Sequence, residues 1–221
     1  MKQIKVKAKP YDFALVPTQT GLLIIDVQRD FVNYGGFGEA LGNKVEQLQK
    51  VIEPIKQVLE IFRTKKLPVI FTKEAHKPDL TNLPKTKRNR GHLKLKIGDK
   101  GPMGRILIQG EYGSEIVDGL KPLKNEPVIN KPGKGLFYKT NLEQILSKHN
   151  IKSLIITGVT TEVCVESTVR EANDRGYECL VLKDCVASYY PKFHKTALDM
   201  ITAQGGIFGW VSTSKELLKS L

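Results

Sequence analysis

Gly21-Leu22-Leu23-Ile24-Ile25-Asp26-Val27 is a short, unbroken apolar run that closes on an acid. A run of this kind, without polar alternation, is the pattern of a strand buried on both faces of a parallel sheet. The same signal recurs along the chain. Val45, Leu48, Val51, Ile52, Ile55, Val58, Leu59 and Phe62 return at three- and four-residue steps and predict a helix over 44–65 with one buried stripe and an irregularity at Pro54. Further strands are predicted at 67–72, 127–130, 153–158, 178–182 and 207–211, with helices at 141–148, 162–175, 192–203 and 214–221. Gly176 ends the second of these helices and Gly205-Gly206 closes the third. Strands alternating with amphipathic helices imply right-handed crossovers. The expected fold is therefore α/β, a three-layer α-β-α sandwich around a six-stranded, mainly parallel sheet. Chemistry is expected beyond the carboxyl ends of its strands.

The chain has 221 residues, 40% hydrophobic and 26% charged, which suits one domain over 1–221 and excludes disordered and fibrous classes. No apolar stretch approaches a membrane span of about 20 residues, and Met1-Lys2-Gln3-Ile4-Lys5 lacks a secretory signal, so a cytoplasmic protein is expected. Three cysteines, Cys164, Cys179 and Cys185, cannot all pair, and reduced thiols follow. The net charge of +12 comes partly from a basic N-terminal extension over 1–19 and partly from Lys85-Thr86-Lys87-Arg88-Asn89-Arg90 with Lys94, Lys96 and Lys100. Such runs suit nucleic acid, but here they lack interleaved aromatic residues and any zinc-finger or RNA-binding signature. The segment 85–100 is either a solvated loop or the border of a pocket. The expected partner is a small molecule, with no nucleic acid and no membrane.

Several apparent motifs fail on spacing. Gly35-Gly36-Phe37-Gly38-Glu39-Ala40-Leu41-Gly42 places its third glycine one residue late for a dinucleotide fingerprint. Lys131-Pro132-Gly133-Lys134-Gly135 lacks the Ser or Thr and the upstream glycine of a phosphate loop. His76, His92, His149 and His194 show no metal-ligand spacing. Glu74 with His76 is the one pair with metal potential, and ordinary loop residues are the better reading. No metal and no cofactor are expected.

Cys164 stands apart from the other thiols. In Thr157-Gly158-Val159-Thr160-Thr161-Glu162-Val163-Cys164-Val165 it falls in the first turn of a helix that follows a buried strand. Unpaired amides and the dipole there favour thiolate, so the expectation is a lowered pKa and a nucleophile, with a small buried core residue as the alternative. Asp26, ending an apolar strand, needs a partner if it is buried ionised. Lys131, after the third strand of the sheet, is placed to be that partner. Asp26 could otherwise cap a turn and Lys131 could be surface charge.

Asp26 in Leu22-Leu23-Ile24-Ile25-Asp26-Val27-Gln28-Arg29-Asp30-Phe31, Lys131 in Asn130-Lys131-Pro132-Gly133-Lys134-Gly135-Leu136-Phe137, and Cys164 in its own motif resemble the ordered Asp-Lys-Cys triad of the isochorismatase-like cysteine hydrolases. The resemblance covers essentially all of the chain after about residue 20. It implies catalysis by Asp26, Lys131 and Cys164, and an oxyanion hole from the amides of Thr160 and Cys164, with a cis peptide before Thr160. It also places Gln204, Lys134, Phe31 and Phe137 in the substrate pocket; from the residues alone Gln204 is equally a solvent-facing helix end, Lys134 surface charge and the two phenylalanines core. Residues 35–43, 87–91, 101–105 and 203–210 look most like the biuret and triuret hydrolase branch, which makes biuret hydrolysis to allophanate and ammonia the first expectation. Ureidoacrylate, an N-carbamoyl amino acid, triuret or nicotinamide are alternative substrates, and a non-catalytic basic binding protein is the alternative class. Nicotinamidases carry Asp-x-His and a further His as metal ligands, where this chain offers Glu74-Ala75-His76 without a third ligand. Relatives often form tetramers, so a homotetramer is expected.

Overall fold

The structure is a computed structural model, and it describes residues 3–90 and 94–221. Met1, Lys2, Gly91 and His92, which the sequence reading drew on, lie outside the described residues. Strands β1 (Ile4–Val6) and β2 (Phe13–Leu15) form an antiparallel hairpin. Strand β3 (Thr20–Ile25) follows, then three short helices, α1 (Arg29–Val32), α2 (Phe37–Ala40) and α3 (Glu46–Gln49), the long helix α4 (Ile52–Thr64) and strand β4 (Val69–Glu74). Helix α5 (Lys85–Asn89) and the small hairpin β5 (Lys100–Gly101) and β6 (Gly104–Arg105) lead to β7 (Val128–Lys131). The last third alternates α6 (Leu142–Lys148), β8 (Ser153–Val159), α7 (Glu166–Asp174), β9 (Glu178–Ala187), α8 (Pro191–Gly206), β10 (Trp210–Ser212) and α9 (Ser214–Ser220).

Six strands form the central sheet in the order β10-β9-β8-β3-β4-β7, and every pairing is parallel. β3 is buried along its whole length. Its side chains alternate between two cores, Leu22 and Ile24 entering one and Leu23 and Ile25 the other. α4 and α9 cover the first face through Ile55, Val58, Leu59, Phe62 and Leu217. α6, α7 and α8 cover the second through Leu142, Leu146, Val169, Ala172 and Ile201. Each such side chain contributes about 1.5–3 kcal/mol on burial, which fixes the register of helix on sheet. The expected three-layer α/β architecture is the one observed.

The differences from the sequence reading are local. The helix expected over 44–65 is two, α3 and α4, parted at Lys50 and Val51. Pro54 sits in the first turn of α4, where its missing N–H costs nothing, but its ring excludes the carbonyl four residues earlier, at Lys50. β9 runs five residues beyond the predicted 178–182, because after a register shift Val186 and Ala187 pair with Gly158 and Val159 of β8. The N-terminal stretch is structured through Lys9, whose backbone exchanges hydrogen bonds with Val211 at 2.9 and 3.0 Å on the sheet edge. No helix among the described residues is long and apolar enough to cross a membrane.

One glycine sets the spacing beneath the site. Gly158 has φ 112°, and a Cβ built on it would lie 2.0 Å from the carbonyl oxygen of Ile25 on β3. Only a residue without a side chain allows β8 to approach β3 there. Gly158→Ala is expected to lower the thermal midpoint by about 10 °C or to prevent soluble expression, a loss of roughly 2–4 kcal/mol. A melt within about 2 °C of the parent would show that the approach is not needed.

Candidate active site

The chain builds β3, β4 and β7 to one side and then returns to lay β8, β9 and β10 on the other. The strand order reverses between β3 and β8, and in such sheets ligands bind at the carboxyl ends beside the reversal. Asp26 follows β3 directly, Lys131 is the last residue of β7, and Cys164 lies one turn beyond β8. Asp26 and Lys131 are 0% exposed and Cys164 4%.

The Lys131 ammonium stands 2.7 Å from Asp26 Oδ2 and 3.4 Å from the Cys164 sulfur. On its other side it donates to the carbonyls of Gly133 and Lys134, at 3.0 and 2.9 Å. The Thr72 hydroxyl donates to Asp26 Oδ1 at 2.8 Å. Burial opposes a charge on Lys131, but Asp26, the sulfur and Glu74 outweigh it and hold the ammonium above the ordinary lysine range. The three residues that the sequence singled out are thus brought into one contact network.

The structure adds a second acid that the sequence reading left as loop. Glu74 is the last residue of β4, paired in register with Lys131 and 1% exposed. Its carboxylate lies 2.8 Å from the Lys87 ammonium, 3.0 Å from that of Lys134 and 3.9 Å from the Cys164 sulfur. Gln28 pins this strand end: its Oε1 accepts from the Glu74 amide at 2.8 Å, and its Nε2 donates to the Glu74 carbonyl at 3.1 Å. Burial would raise Glu74, yet Lys134, Lys131 and Lys87 together bring it down to about 2. His76 is equally buried, and it is held neutral: burial and the Lys87 charge lower it to about 4. Its Nε2 lies 3.3 Å from Lys87 Nζ. The signal for Glu74 was available in Val69-Ile70-Phe71-Thr72-Lys73-Glu74, an acid closing an apolar strand just as Asp26 closes β3.

Asp26, Glu74 and Cys164 present ligand atoms within 4.8 Å of one another, the geometry of a potential cation site. The ammonium of Lys131 already touches two of the three and supplies the positive charge there.

Cys164 lies in a wide turn, Thr161–Val165, whose amides at Val163 and Val165 both donate to the Thr160 carbonyl. The Val159–Thr160 peptide is cis. The expected lowering of the thiol pKa is not what the structure gives. Burial pushes Cys164 up to about 12, with Lys131 opposing, because full desolvation outweighs the end of one short turn. The resting group is a thiol and needs a base.

The remaining pocket expectations divide. Lys134 and Phe31 line a cavity of about 370 Å³ over Glu74. Phe137 does not: it packs in the second core, stacked on Tyr177 at 5.8 Å with the Arg175 guanidinium 4.7 Å from its ring. Gln204 is exposed at φ 51°, where α8 loses helical geometry over Ala203, Gln204 and Gly205, and it lies outside that cavity. Of the 85–100 segment, residues 91–93 lie outside the described residues; Lys87, Arg88, Arg90 and Lys96 stand in the pocket wall, and most of its other described side chains are exposed.

The chain matches the family model described as Isochorismatase domain over residues 20–216. Ureidoacrylate amidohydrolase RutB of Pantoea ananatis is 31% identical over 211 residues, which cover 93% of this chain and 83% of that protein. An isochorismatase family protein from Desulfovibrio vulgaris superposes with a TM-score of 0.78 at 23% identity, covering 91% of this chain and 97% of that one. N-carbamoylsarcosine amidase from Thermoplasma acidophilum does so with 0.66 at 25% identity, covering 89% and 96%. Biuret, the substrate first expected, is named by none of these.

Two outcomes follow from the charges of the site. Glu74 titrates lower in the folded chain than in the unfolded one, so its contribution is present above about pH 4.5 and lost as pH falls toward 2. Glu74→Gln should melt below the parent at pH 7, with the gap closing through that window; a gap independent of pH would exclude the carboxylate charge as its source. Separately, alkylation of Cys164 by iodoacetamide should keep accelerating from pH 7 to 10 without a plateau, since the thiol ionises near 12. A plateau near pH 7 would show a resting thiolate instead.

Proposed function

The chain belongs to the isochorismatase family, and on that premise we propose that it is a cysteine-dependent amidohydrolase that cleaves a carbonyl–nitrogen bond of a small ureide. The observation that carries this reading is the buried Lys131 ammonium in contact with both Asp26 and the Cys164 sulfur. Asp26 takes the thiol proton while Lys131 holds both groups in place, and the sulfur adds to the planar carbonyl. The backbone amides of Thr160 and Cys164 receive the oxyanion. The carbonyl–nitrogen bond then breaks, the leaving nitrogen takes the proton from Asp26, and a thioester remains on Cys164. Water, deprotonated by the same carboxylate, cleaves the thioester and restores the thiol. Ammonia appears either as the leaving group or from the carbamate product.

The choice of ureide rests on the relatives' names. Ureidoacrylate amidohydrolases at 31% and 32% identity, from Pantoea ananatis and Yersinia enterocolitica, support a ureido acid ahead of biuret. The amidase of Thermoplasma acidophilum, named for an N-carbamoyl amino acid, supports the same chemical class.

Cys164→Ala should reduce ammonia release from ureidoacrylate by roughly 10⁴-fold or more while leaving the circular dichroism spectrum intact, and Asp26→Asn by roughly 10³-fold. Undiminished turnover in the Cys164 variant would overturn the proposal.

A further inference from the structure

The chemistry above leaves one group of charges unused. Among the described residues Glu74 is the single carboxylate in the wall of the cavity, and Lys87 and Lys134 already pair with it at 2.8 and 3.0 Å. Arg88, Arg90 and Lys96 line the same cavity, and among the described residues no carboxylate forms an ion pair with any of them. Phe31 and Phe37 line the cavity too. Three uncompensated cations beside an apolar wall, in a space of about 370 Å³, fit a small molecule with a short apolar stem and an anionic end. A guanidinium offers a carboxylate two parallel donors, which makes arginine suited to that role. A neutral ureide offers these cations only carbonyl oxygens and no charge to pair with.

We propose that Arg88, Arg90 and Lys96 form a carboxylate subsite, so that the enzyme selects ureido acids, bound with the carbamoyl end at Cys164, over neutral ureides. This rests on the amidohydrolase reading and extends it from reaction to specificity. The inner and outer charges do different work. Lys131 is enclosed by Asp26, the sulfur and two carbonyls, and it has no donor to spare for a ligand. The outer three lie on and after α5 and are exposed, so their field also draws anions toward them from solvent.

The test compares ammonia release from ureidoacrylate, from its methyl ester, which differs only in charge, and from biuret. The parent is expected to prefer the acid over the ester by about 100-fold in kcat/KM at low salt, with the ratio shrinking as salt rises. Arg88→Gln and Arg90→Gln are each expected to reduce that ratio about tenfold, mainly through KM. Lys195→Gln, at an exposed cation already paired with Asp199, should leave the ratio as it is. Equal kcat/KM for acid and ester, or a ratio unmoved by both arginine substitutions, would overturn the proposal. Should no ureide yield ammonia, the amidohydrolase reading fails, and calorimetry on the Cys164→Ala protein decides the subsite separately. Tighter binding of the acid than of the ester sustains it, and equal binding or none overturns it.

Discussion

Asp26 and Lys131 form an ion pair at zero exposure, 2.7 Å apart, and the rest of the site is built around it. Desolvating two ions is costly, and a pair alone often fails to recover the cost. Here the ammonium also meets two backbone carbonyls, which uses its remaining donors, and the carboxylate also accepts from the Thr72 hydroxyl. Such a pair is poor evidence for stability and better evidence for chemistry. Moving the thiol proton to Asp26 leaves the net charge of the cluster unchanged. A sulfur that would ionise near 12 against bulk water can therefore be activated internally, without creating a new buried charge.

Topology accounts for why these groups meet although 105 positions separate Asp26 from Lys131. Parallel strands end on one side of the sheet, and the reversal between β3 and β8 leaves the loops there without a neighbour to cover them. Gly158 lets β8 close against Ile25, just before Asp26, and β8 slips in register against β9 at the same place. The pleat that aligns Cys164 with the acid is thus bought with a residue that has no side chain.

How much of this was legible in the sequence follows from where each signal resides. Asp26, Lys131 and Cys164 sit at ends of apolar strands, so local pattern and the general rule for parallel sheets were enough to propose them together. Glu74 obeys the same rule but was hidden, because Lys73 makes the end of β4 look like loop and the pairing with Lys131 and Gln28 is entirely non-local. Lys87 lay inside a run of cations that reads as a solvated face, and only the tertiary contact with Glu74 separates it from its neighbours. Phe137 lies outside the cavity for a related reason: its partners are non-local, with Tyr177 stacked on its ring and the Arg175 guanidinium over it. The thiol's pKa was misread because a favourable helix end is a small local term, whereas full burial depends on the whole fold.

Two acids within one pocket raise the question of which moves the proton, and their surroundings separate them. Glu74 pairs with the ammonium groups of Lys87 and Lys134, with Lys131 close by, and is held down to about 2. A carboxylate that weakly basic is a poor proton acceptor, even 3.9 Å from the sulfur. What it does is position cations: it draws Lys87 inward from α5 and Lys134 from the loop after β7, fixing the inner wall of the cavity. Asp26 meets one ammonium, and that ammonium is shared with the sulfur, so the acid and the nucleophile are linked through a single donor. Divergent environments of this kind assign unlike roles to like residues. By the same reasoning Glu74 neutralises the lysines nearest the reacting carbonyl and leaves the positive field concentrated outward, at the arginines, where an anionic end can meet it without competing for the catalytic pair.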